Sequence, residues 1–77
     1  MIDKNKIDNL EIVYGIKILP VRIIGRRWAF DGSVQTNIPI GEMKRLQIDS
    51  NTGCIVYNWN LLNDSQQRIV EQSLMTP

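Results

Sequence analysis

At 77 residues, with a formal net charge of +1 and a single cysteine, the chain reads as one small domain over 1–77 that has no internal disulfide to hold it together. It contains no histidine, which excludes an imidazole base, a Ser–His or Cys–His nucleophile pair, and, with only one cysteine, the usual four-ligand zinc site. No apolar run reaches membrane-spanning length, and Met1-Ile2-Asp3-Lys4-Asn5-Lys6 is too polar to open a secretory signal, so a cytoplasmic protein without membrane contact is expected.

Residues 1–9 are polar and read as a flexible lead-in. Leu10, Ile12, Tyr14, Ile16 and Ile18 then alternate with Glu11, Val13, Gly15, Lys17 and Leu19, a period-2 pattern that predicts a strand with its even face buried. Pro20 has no amide hydrogen to give a ladder, so a sharp corner is expected there. Val21 to Phe30 reads as a second extended run with a bulge at Gly25. Asp31-Gly32 predicts a two-residue hairpin turn into a short strand near 34–38, which Pro39 and Gly41 end.

Met43 to Asp49 is expected to be extended, with a turn over Ser50-Asn51-Thr52-Gly53 in which Gly53 takes the left-handed position. The chain then returns as a strand from Cys54 to Trp59. Asn63-Asp64-Ser65 supplies helix caps. With Asp64 as cap, Gln67 stands where a capping-box side chain reaches back. Ile69, Val70, Ser73 and Leu74 would share the inner face of a helix over about 64–75. The fold class predicted is α+β: a small antiparallel sheet, or a partly closed barrel, of four to five strands with one C-terminal amphipathic helix.

The eight carboxylates are scattered, and no glycine-rich phosphate loop is present. Asp49-Ser50-Asn51-Thr52-Gly53 spells a turn and supplies too few oxygens in order for a calcium loop. Cys54 sits beside Ile55 and Val56, as an inert buried thiol would. The chain is therefore not expected to be an enzyme, and no cofactor, metal or small-molecule substrate is expected.

Charge is unevenly spread. Lys17, Arg22, Arg26, Arg27, Lys44 and Arg45 meet only Asp31 and Glu42 between them, so a basic middle separates two mildly acidic ends. Arg22, Arg26, Arg27, Lys44 and Arg45 on phosphate, with Trp28 stacking, are the candidates for a nucleic-acid surface. In a regular strand Arg22, Arg26, Trp28 and Phe30 would share one face, although the same charges also suit an ordinary solvated sheet face. Tyr14, Tyr57 and Trp59 are the candidates for a protein interface, Tyr57 and Trp59 lying with Ile55 on one strand face. Their alternative is a place in the core beneath the C-terminal helix. A chain this short buries only about 60% of the surface its unfolded form exposes. A thin core favours reinforcement by a partner. The expected function is a small non-catalytic binding or regulatory module that contacts another protein or itself as a homo-oligomer, with nucleic-acid binding through the basic middle as the alternative.

Overall fold

The computed structural model describes residues 3–30 and 42–75. The chain order is helix α1 (Lys4–Tyr14), strands β1 (Lys17–Ile24), β2 (Arg27–Phe30), β3 (Met43–Gln47) and β4 (Thr52–Tyr57), a 3-10 turn over Trp59–Leu61, and helix α2 (Asp64–Met75). The strands form one antiparallel sheet in the order β2-β1-β4-β3, curled into a half-barrel. This is the expected α+β architecture with its C-terminal helix. The turn and strand expected over 31–38 lie outside the described residues.

The first element differs from the sequence expectation. Residues 4–14 are helical, where a lead-in to residue 9 and a strand from Leu10 were read. Two end signals decide it. The Asp3 carboxylate accepts from the Asn5 amide at 2.9 Å, and Gly15 closes the helix in the left-handed region (φ 67°), its N–H donating to Glu11 O. Between them Ile7 and Leu10 are buried and Tyr14 is half-buried, a 3.6-residue stripe. The apparent alternation through Ile12 is incidental, since Ile12 is 83% exposed.

β1 runs straight through Pro20, with no corner. The Ile23 amide donates to Asn51 O on the β4 side, whereas the Ile18 amide donates to the Glu11 carboxylate at 2.8 Å. Alternation of the pleat therefore points even-numbered amides of β1 away from β4. Pro20 sits on that side, one residue before β2 begins to pair at Val21, so its missing hydrogen breaks no ladder bond. Glu11 also pairs with Lys17 at 3.6 Å, which ties α1 to the start of β1.

Gly25 is a hairpin turn and not a bulge. Ile24 pairs with Arg27, so only Gly25 and Arg26 form the loop. Gly25 has φ 62° while Arg26 keeps negative φ, the signature of a type II′ turn with glycine first. β3 and β4 form the second expected hairpin. Gly53, however, lies inside β4 without positive φ, and the turn before it is held by the Asp49 carboxylate accepting from the Asn51 amide at 2.8 Å. That hydrogen bond holds the Asp49 carboxyl below its ordinary pKa.

Pleating places a core on each face of the sheet. Ile18, Leu46, Cys54 and Val56 join Ile7, Leu10 and Ile16 from the first helix and its exit, and Trp59, Leu62, Val70 and Leu74 from the C-terminal region. We call this the helix face. On the other face Leu19, Val21, Ile55 and Tyr57 form a smaller cluster with Trp28 packed against it.

Helix α2 spans the predicted residues, and of the three cap candidates it is Asn63, not Asp64, that caps it. Asn63 Oδ1 accepts from the Gln66 amide at 2.8 Å, and Gln66 Oε1 accepts from the Asn63 amide at 3.1 Å, a reciprocal capping box. Gln67 instead donates its side-chain amide to the Trp59 and Leu62 carbonyls. Of the four residues expected inside, Val70 and Leu74 are buried, Ser73 is half-buried and Ile69 is exposed.

Candidate functional site

The register of β1 and β2 sorts the basic residues. Arg22 lies opposite Ala29, and Ile24 opposite Arg27, so these four share the helix face of the sheet. The helices do not cover them: α1 packs on β1 and α2 on β3, and Arg22, Ile24, Arg27 and Ala29 are all exposed. Arg26 stands at the turn between the strands, also exposed. Ile24, 67% exposed, is thus an apolar centre between arginines. Among the described residues Arg26 and Arg27 form no ion pair or hydrogen bond through their side chains.

The other members of the basic set are elsewhere. Lys44 pairs with Val56 and Arg45 with Ile55 on β3, at the opposite edge of the sheet. Arg45 points to the second face, where its guanidinium lies 5.9 Å from the Trp28 ring centre. Trp28, opposite Ile23, is on that second face too. The arrangement expected for nucleic acid, arginines with Trp28 beside them, is therefore divided: Arg22 and Arg27 are on one face and Trp28 on the other. The sequence reading of one extended run with a bulge at Gly25 hid this, because the turn there folds the run back on itself.

The aromatic candidates lie in the cores. Tyr57 and Trp59 are each 8% exposed, Tyr57 in the smaller cluster and Trp59 in the larger, and Tyr14 is half-buried against the larger one. Tyr57 and Trp59 do not share a face. Asn58 adopts the left-handed conformation (φ 65°), ends β4 and starts the 3-10 turn, and so sends Trp59 to the helix side. Cys54 is fully buried as a free thiol, and desolvation pushes its pKa up to about 11.

Sequence reasoning missed Ile24 and Ala29. The signal was present in Ile24-Gly25-Arg26-Arg27, where a glycine in the first loop position marks a two-residue hairpin and puts the residues on either side directly across from each other. What the exposed end of this hairpin offers is chemically simple: guanidinium forks for carboxylate or phosphate oxygens around a small apolar patch.

No protein-family model, curated protein or solved structure matches this chain. No helix among the described residues is long and apolar enough to cross a membrane.

Proposed function

We propose that this protein is a small non-catalytic binding module that recognises another protein through the exposed end of the β1–β2 hairpin. The observation that supports this reading is the exposure of Arg22, Ile24, Arg27 and Ala29 together on one sheet face that the helices leave bare. Arginine with an apolar neighbour is the composition of interface centres, where a buried aliphatic contact excludes water around a charge-assisted hydrogen bond. Tyr57 and Trp59, buried in the two cores, hold the platform that presents it.

The test compares capture of partners from a cell extract by the wild type, by Ile24→Glu and Arg27→Glu, and by Leu61→Glu, which alters an exposed apolar residue away from the hairpin. All three substituted positions, Ile24, Arg27 and Leu61, are exposed, so the substitutions leave both cores intact. A captured protein lost with both hairpin variants and kept with Leu61→Glu supports the reading. Equal capture by all forms contradicts it.

A further inference from the structure

The chemistry of the hairpin face narrows the kind of partner, on the reading that this face is the binding surface. We infer that the partner presents an acidic segment with an apolar residue set among its carboxylates, seated on Ile24, Arg26 and Arg27.

Charge complementarity is the first argument. Three arginines occupy the two strands and the turn of a single hairpin, and Arg26 and Arg27 engage no carboxylate among the described residues, where the Lys17–Glu11 pair shows that a cation elsewhere does. The guanidinium forks of Arg26 and Arg27 at this solvated surface match carboxylates, each of which takes two parallel hydrogen bonds. The apolar centre is the second argument. Ile24 lies directly across from Arg27 and beside the turn that carries Arg26, so an aliphatic side chain placed between two carboxylates of the partner meets Ile24 while its neighbours meet Arg26 and Arg27.

Two other occupants fit this face less well. A nucleic-acid strand offers phosphate but leaves Ile24 without a partner, and the ring that would stack on a base, Trp28, is on the opposite face beside Arg45. A second copy of the chain joined by a two-fold axis through this face sets arginine against arginine.

The experiment titrates the full chain with a fluorescein-labelled short peptide of alternating Glu and Leu at physiological salt, reading anisotropy. Oligoglutamate, a Lys–Leu peptide and oligothymidylate serve as comparison probes. The expected result is saturable binding of the Glu–Leu peptide, weakened by at least about tenfold in the Arg26→Glu/Arg27→Glu double variant and several-fold in Ile24→Ser. Unchanged thermal unfolding of both variants shows that the loss is not a loss of fold. Failure of the Glu–Leu peptide to bind overturns the inference, as does equal or tighter binding of oligoglutamate or of oligothymidylate. The two readings separate cleanly: if the Glu–Leu peptide fails while the hairpin variants still lose a captured protein, the acidic chemistry is wrong and the hairpin surface stands. If capture is indifferent to the hairpin variants, both fall.

Discussion

The guanidinium of Arg45 on β3 lies 5.9 Å from the centre of the Trp28 ring on β2, although these strands are the two edges of the sheet. On a flat sheet three strand spacings, roughly 14 Å, would separate their backbones. The curl of the half-barrel brings the edges towards each other over Leu19, Val21, Ile55 and Tyr57. Trp28 therefore roofs the smaller core, with the cation of Arg45 near its ring. One sheet face is thus closed by its own aromatic residue, and on the other the two helices leave the end of the hairpin uncovered.

The roof requires Gly53. A Cβ at that position would stand 2.8 Å from a Trp28 ring carbon and 2.8 Å from the Leu46 carbonyl oxygen. Gly53→Ala is expected to destabilise the fold by about 1–3 kcal/mol, through forced displacement of the ring and of the β3 backbone. Trp28→Ala should relieve part of that cost, so the double variant should be more stable than the two separate losses add up to. Urea unfolding of the four proteins measures the coupling. Strict additivity would show that the ring does not press on Gly53.

Asn58 holds the left-handed conformation that separates Tyr57 from Trp59. Asn58→Gly is expected to leave stability nearly unchanged, because glycine adopts this φ without strain. Asn58→Val should cost about 1–2 kcal/mol, since a β-branched residue is disfavoured there. Thermal unfolding of both variants checks the difference, and equal stability would contradict the turn geometry.

The capping box of α2 predicts that Asn63→Ala costs about 1 kcal/mol while Asp64→Ala costs less, because Asn63 and Gln66 make the reciprocal bonds. Circular dichroism during chemical unfolding compares them. A larger loss at Asp64 would place the cap one residue later.

Cys54 sets an alkaline signature. Its thiol titrates near 9.0 when unperturbed and is pushed by desolvation to about 11 in the fold. The raised pKa means that folding favours the protonated thiol, so the contribution is intact below pH 9 and is lost as the pH climbs from 9 to 11. Wild type should lose stability over that interval more steeply than Cys54→Ala, measured as urea midpoints at matched pH. The native thiol should also react slowly with a disulfide reagent at neutral pH. Parallel pH profiles would contradict the burial.

The sequence made the β3–β4 hairpin legible because turn-forming residues stand between two extended runs, and α2 because cap and periodicity agree. It misled at residues 10–14, where a helical stripe of Ile7, Leu10 and Tyr14 coincides with five alternating positions, and the local pattern carries no record of which period the core will use. Trp59 reads as a strand-face residue because nothing in Tyr57-Asn58-Trp59 marks the left-handed residue except the asparagine itself, which tolerates that conformation better than most. The basic residues were visible as a group, but their division between two faces depends on one turn at Gly25. A shift from bulge to hairpin moves each partner across the sheet.

On the proposed reading, the hairpin end of the helix face binds while Tyr57 and Trp59 only build. The most direct measurement is a titration of isotopically labelled protein with the Glu–Leu peptide, following backbone amide and tryptophan indole signals by NMR. The expected result is a set of shifts concentrated at Ile24, Gly25, Arg26, Arg27 and their strand neighbours, with the Trp59 indole unmoved. Shifts centred instead on the Trp28 indole and Arg45, or on the two helices, would contradict it.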